Sequence, residues 1–256
     1  MRLATLAVAA LAIAPLAVMA EDPPASPTPW ELRAEGQHDN LTNGQPDWNE
    51  EMLQLAWKPR RGLAVLGGGR WTERFDQKDH ELFGGAYLPV ASSTGVHLEA
   101  STSPTHRVLA RESLLLELSQ QLGAGWVVNA AAKRAHYDSG DVDAAIGTVE
   151  KYLGDWRLAY VGYLSRAESG GWAPSHRLSA TWYRGDLTYA SVSAGRGREV
   201  ENVYPAGLVT TDVRSANVGA GLELARGFGL TLDLGYVRQG DLYTRRYARL
   251  GARVLF

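Results

Sequence analysis

The chain has 256 residues, with 26 Lys and Arg against 28 Asp and Glu and a formal net charge of −2. A balance so close to neutral, without a concentrated basic run, excludes a nucleic-acid binder of the usual electrostatic kind. There is no cysteine, so disulfides are excluded and an exported chain of this size must be held by its core or its backbone ladder.

Arg2 forms a short positive start, and Leu3 to Ala20 is an uncharged run broken only by Pro15. Val18-Met19-Ala20 places small or apolar side chains at −3 and −1 of a cleavage site, before the acidic, Pro-rich stretch 21–29. This pattern predicts a signal peptide over 1–20, removed on export. An uncleaved anchor is the alternative, because a run of about 18 apolar residues could just span a bilayer. Removing 20 of the 256 residues leaves 236, enough for one large domain or two small ones, and the loss of Arg2 moves the charge from −2 to −3. No later stretch is long and apolar enough for a transmembrane helix.

From Trp30 onward the sequence alternates. Trp30, Leu32, Ala34 and Gly36 interleave with Glu31, Arg33, Glu35 and Gln37, and Leu114, Leu116 and Leu118 with Leu115, Glu117 and Ser119. The pattern returns in 156–165, 177–183 and 215–224. Period two means strand, with one apolar and one polar face. Segments of about 10 residues match a tilted bilayer-crossing strand, whereas soluble strands run to about 5–6. Fourteen segments are predicted, near 30–39, 48–58, 63–74, 80–88, 95–102, 113–122, 126–137, 142–153, 156–167, 176–184, 187–198, 212–225, 229–239 and 243–256. An even number suits a bacterial single-chain barrel. Gly84-Gly85 and Pro89 blur two of the segments, and 12 strands is the alternative.

With the N-terminus periplasmic, Pro59 to Gly62, Gly123 to Gly125, Gly154-Asp155, Gly185-Asp186 and Arg226 to Phe228 are inner turns, and Pro89 to Thr94 is the longest of them. Asn40 to Asp47, Ser103 to Glu112, Ser169 to Ser175 and Glu199 to Thr211 are longer outer loops, the expected asymmetry. Two other outer connections, Ser139 to Asp141 and Gly240 to Leu242, are short. Trp30, Trp57, Trp126, Trp156 and Trp182 fall at strand ends beside the inner turns, as an interfacial girdle would. The last segment sets Ala248, Leu250, Ala252 and Val254 against Arg245, Arg249 and Arg253, and ends at Phe256. An amphipathic strand with a terminal Phe looks like the insertion signal read by the barrel-assembly machinery.

Leu41-Thr42-Asn43-Gly44 followed by Asp47-Trp48, the Gly195-Arg196-Gly197 motif and the strand closing on Phe256 together resemble the YaiO family of outer-membrane β-barrel proteins, over about residues 30 to 256. Thr42 stands where that family's pattern has a serine. The resemblance implies an outer-membrane location. Related barrels occur fused to helical repeats near polysaccharide-export systems, which implies export components as partners, beside outer-membrane lipid and lipopolysaccharide.

With the apolar phase outward, the lumen receives Glu31, Arg33, Glu35, Glu99, Glu117, Arg157, Arg177, Glu223, Asp233, Arg245, Arg249 and Arg253. Closing the first strand on the last brings Glu31 and Glu35 to depths similar to Arg253 and Arg249. These charges could form a selective constriction; a salt-bridged lining that locks the seam is the favoured reading, because mixed signs cancel. Arg70 and Arg74 join them if the Gly67 to Gly69 run keeps phase. Catalysis would need a nucleophile beside a base, but His38 and Thr42 straddle a loop start, and His176 and Ser179 face opposite sides of a strand. His80, His97, His106 and His136 have no zinc spacing. Asp138, Asp141 and Asp143 read as a solvated loop tip rather than a Ca²⁺ site, and Gly195-Arg196-Gly197 as a twist or bulge. No catalytic residue, metal or cofactor is assigned. The expected protein is a transmembrane β-barrel of about 14 strands, a passive or gated channel or an accessory barrel for envelope polysaccharide or solute transport. The alternatives are a structural barrel with a closed, salt-bridged lumen and, further off, a membrane-embedded lipid hydrolase or deacylase.

Overall fold

The computed structural model describes residues 29–203 and 206–256. The expected signal peptide and residues 21–28 lie outside the described residues. Fourteen strands alternate up and down: β1 (Trp30–Leu41), β2 (Trp48–Arg60), β3 (Leu63–Arg74), β4 (Gln77–Ala91), β5 (Thr94–Thr102), β6 (Glu112–Gly123), β7 (Trp126–Tyr137), β8 (Gly140–Leu153), β9 (Trp156–Ala167), β10 (Ala173–Tyr183), β11 (Tyr189–Val203), β12 (Gly207–Ala225), β13 (Phe228–Gln239) and β14 (Tyr243–Leu255). Each pairs antiparallel with its neighbours in sequence, and β1 pairs with β14 to close the ring. Closure leaves no unpaired edge, the condition for strands to cross a bilayer.

The two faces of the wall follow from the alternation. Leu114, Leu116 and Leu118 on β6, and Leu230, Leu232 and Leu234 on β13, point outward and are exposed. The intervening polar and small residues point inward. Trp30, Trp57, Trp126 and Trp156 are exposed at the periplasmic ends of their strands, Trp30 and Trp57 with ring centres 6.3 Å apart, and Trp182 sits opposite Trp156. Tyr247 lies flat on the inner wall over Gly235, where a Cβ would come within 2.1 Å of its ring, so glycine there makes room for a lumenal aromatic.

Three connections differ from expectation. Strands β4 and β5 run on to Ala91 and Thr94 through a bulge at Pro89, leaving only residues 92–93 as the turn. The longest periplasmic connection is instead 184–188, which tucks Leu187 into the barrel against Gly229. The segment Glu199 to Thr211 is not an outer loop but a continuation of the β11–β12 hairpin, paired as far as Val203↔Gly207. Pairing of β11 with β10 stops at Ser175↔Gly197. Gly197 has φ +150° and lies so close to β10 that a Cβ would meet the Ser175 Cα at 2.3 Å. There the hairpin leaves the wall and turns over the mouth.

Candidate functional site

The lumen is built in three layers. At the periplasmic end Glu31 accepts hydrogen bonds from Lys58 (2.8 Å) and Arg253 (2.9 Å), and Arg253 also donates to the Asp186 carbonyl at 3.4 Å. Buried Leu187 lies against Gly229, the register partner of Arg253. Above lie Arg33, 2.5 Å from Glu35, and Arg249, which donates to Gln37 and sits 3.7 Å from Glu35. Arg157 grips Glu150 with two hydrogen bonds of 2.9 and 2.7 Å. Arg70 bridges Glu50 and Glu81 at 3.7 and 3.1 Å. Charged groups inside a wall need such partners, because an isolated ion away from water is costly.

The outer layer is denser. Trp48 is 1% exposed, packed edge-on by Phe75 (4.9 Å) and Tyr243 (5.8 Å). The guanidinium groups of Arg74 and Arg245 lie over its ring at 5.0 and 5.2 Å, each held by a carboxylate, Glu50 at 2.8 Å and Asp39 at 3.3 Å. Two segments cover this layer. The connection 103–111 folds inward, and the buried Asp79 carboxylate accepts the backbone N–H groups of Val108 (2.6 Å) and Leu109 (2.9 Å). The hairpin beyond Gly197 spans the opening. Its Asn202 meets Ser139 at the β7–β8 turn (2.9 Å), and its Glu201 accepts the Tyr243 hydroxyl at 2.8 Å on the other side of the ring. Val200 packs on Ala167 and Ala173, and Leu208 on Ala110 and Tyr137.

Of the twelve charges expected in the lumen, Glu31, Arg33, Glu35, Arg157, Arg245, Arg249 and Arg253 take part in these networks. The seam contacts are diagonal: β1 pairs Arg33 with Arg253 and Gln37 with Arg249 in register, so each arginine reaches a carboxylate two residues along. Arg177 lies against the Tyr163 ring at 5.9 Å, and Glu99 is 3.9 Å from His97. Glu117 and Asp233 are half-buried inward residues with no ion pair among the described residues. Glu223 departs from the expected lining. It keeps the inward phase but is exposed at the periplasmic rim, where its carboxylate accepts the Gly227 N–H at 3.1 Å beside the β12–β13 bulge. Arg70 and Arg74 do face inward, the glycine run having kept phase.

The side chains weighed for catalysis are apart. His38 is outward and bonded to Asn49 (2.9 Å), and His176 is outward and bonded to the Tyr160 hydroxyl (2.6 Å). Ser179, weighed with His176, faces the lumen instead, as does Ser175 next to that histidine in the chain. Asp138, Asp141 and Asp143 are engaged by His106, by Arg134 and His136, and by Arg166. Sequence reasoning missed Trp48, Asp79, Glu150 and Glu201. Trp48 carried a signal, as a tryptophan at the outer rather than the inner end of its strand and in phase with Glu50. Asp79 and Glu201 carried none, because their partners come from distant segments.

A family model described as the YaiO membrane beta barrel domain matches residues 31–202. No functionally curated protein matches the sequence. Among solved structures the CymD monoaromatic hydrocarbon channel aligns with a TM-score of 0.59 at 8% identity, covering 90% of this chain and 89% of that one. Omp33 of Acinetobacter baumannii gives 0.55 at 13%, covering 90% and 98%, and the KdgM porin 0.50 at 11%, covering 88% and 99%. At such identities the likeness speaks for the barrel fold alone. A closed ring of amphipathic strands, an apolar outer wall and a membrane-barrel family model describe an outer-membrane β-barrel of channel-like fold.

Proposed function

The chain belongs to the YaiO membrane β-barrel family, and on that premise we propose that it is a gated outer-membrane conduit, closed at rest, for a hydrophilic solute or a segment of envelope polysaccharide. The observation that carries this reading is that the cover over the outer mouth is not part of the wall. It is a hairpin hinged at Gly197 and tied to the rim by the Ser139–Asn202 and Tyr243–Glu201 hydrogen bonds and small apolar contacts. Beneath it the lumen holds charges of both signs and aromatic rings such as Tyr163 and Tyr247. Mixed charge selects weakly by sign, and rings beside hydrogen-bonding groups suit a carbohydrate. Export components of the envelope are the partners this role would call for, and Phe256 is the group the assembly machinery would read.

The test is planar-bilayer conductance of the refolded protein beside a variant lacking residues 199–210. Rare openings in the parent and steady conductance in the variant support a gate. Adding Arg249→Ala to that variant removes a lumenal cation and shifts selectivity toward cations. A barrel that stays silent without its lid, while heat-modifiable migration proves it folded, sinks the conduit. A structural barrel then stands, which the ion-paired network of Glu31, Lys58 and Arg253 beside buried Leu187 favours.

A further inference from the structure

Outward-facing arginines near the extracellular rim are arranged in two opposite ways. Across β7, β8 and β9 the directly paired residues Arg134, Asp143 and Arg166 alternate in sign, and ion pairs join them. Across β11, β12 and β13 the directly paired residues are Arg196, Arg214 and Arg238. All three are exposed, and Arg246 stands on the same face of β14, opposite Tyr236. Like charges placed opposite each other on a sheet destabilise it. Arg196, Arg214 and Arg246 make no ion pair among the described residues, and the one carboxylate beside Arg238 is Asp241, 3.7 Å away and fully exposed. The nearest acid in the next row up, Asp212, is paired in register with Arg198.

The height of the row identifies what it meets. Below Arg214 the outward positions of β12 are Ala216, Val218, Ala220, Leu222 and Leu224, and below Arg238 those of β13 are Tyr236, Leu234, Leu232 and Leu230. Ten residues from Leu224 to Arg214, at about 3.3 Å each and a tilt near 45°, rise about 23 Å. That matches the apolar band of an outer-membrane barrel, about 25 Å tall. The arginines therefore sit where acyl chains end and headgroups begin, in the outer leaflet.

We propose that Arg196, Arg214 and Arg238, with Arg246 beside them, form a binding site on the outer wall for the phosphorylated glucosamine headgroup of lipopolysaccharide, whose acyl chains lie along the Leu and Val face below. Guanidinium groups bind phosphate bidentately, and a phosphate between neighbouring arginines removes their repulsion. The site is independent of whether the lumen opens, and it gives Arg196 of the Gly195-Arg196-Gly197 motif a use that the hinge alone does not require.

The experiment is native mass spectrometry of the full refolded protein in detergent with purified lipid A. The triple variant Arg196→Gln, Arg214→Gln, Arg238→Gln should lose affinity roughly a hundredfold, taking about fivefold per arginine near an anionic lipid surface. Dephosphorylated lipid A should bind the parent as weakly as lipid A binds the variant. Excess inorganic phosphate should leave lipid A bound to the parent. The control Arg134→Gln, Arg166→Gln should bind as the parent does. Equal binding by the triple variant, equal binding of dephosphorylated lipid, displacement by phosphate, or an equal loss in the control would each overturn the site. If the triple variant fails to fold, Arg214→Gln alone, at the centre of the row, must lose at least about fivefold.

Discussion

Glu201 stands on the part of β11 that has left the wall, fully covered, with one oxygen on the Tyr243 hydroxyl and the other without a partner among the described residues. Burial pushes its carboxyl up to about 8, against the opposing pull of the Tyr243 hydrogen bond and the Arg245 charge. An acid whose pKa is raised in the closed state favours that state while it is protonated, so its contribution to closure is complete below the free value and is lost as pH rises through the closed one. The lid should therefore hold most firmly below the free value of 4.5 and loosen as pH rises to about 8 and beyond, seen in planar bilayers as a rising open fraction. Glu201→Gln keeps the neutral hydrogen-bonding shape and should hold the lid closed across that range. An open fraction with the same pH slope in this variant would place the titration elsewhere.

At the scale of the element, the hinge and the legibility of the strands have one cause. Each wall strand meets lipid on one side and lumen on the other, so its residues alternate and twelve segments read clearly from period two, while Gly84-Gly85 and Pro89 blur the pattern of β4 and β5. The hairpin beyond Gly197 is covered on both faces: Val200, Glu201 and Asn202 are buried in succession. It has no alternation to read, and its Gly and Pro residues made it look like a loop. Alternation also told which charges point inward but not what they reach. The seam pairs were legible because β1 and β14 must meet; the Asp79 bonds to Val108 and Leu109 were not, because a loop supplies them. The hinge gives its own prediction. Gly197→Val demands a Cβ where Ser175 stands and a positive φ that a β-branched side chain avoids. The wall below should survive, with unchanged heat-modifiable migration. The segment 198–211 should become sensitive to limited proteolysis, and conductance should rise. A variant as protected and as silent as the parent would show that the lid does not turn on this residue.

At the scale of the whole molecule, two interactions of different kinds close the ring. The β1–β14 ladder runs from Glu31↔Leu255 to Leu41↔Arg245, and is extended by the reciprocal bonds of Trp30 and Phe256 at 2.9 and 3.0 Å. Inside it, Glu31 is shared by Lys58 of β2 and Arg253 of β14, so one carboxylate ties three consecutive strands across the seam. Glu31→Gln keeps the ladder and removes the charge, leaving Lys58 and Arg253 to face each other. Breaking a fully buried pair costs about 3–5 kcal/mol; Lys58 is 37% exposed, so water takes up part of the loss and about 1–2 kcal/mol remains. The midpoint for loss of the folded, fast-migrating form in denaturant should fall accordingly. Adding Arg253→Met, which removes the stranded cation and keeps the apolar stem, should recover part of it. If Glu31→Gln leaves the midpoint unchanged, the backbone ladder alone holds the seam, and the lumenal charges serve whatever passes through the barrel rather than its closure.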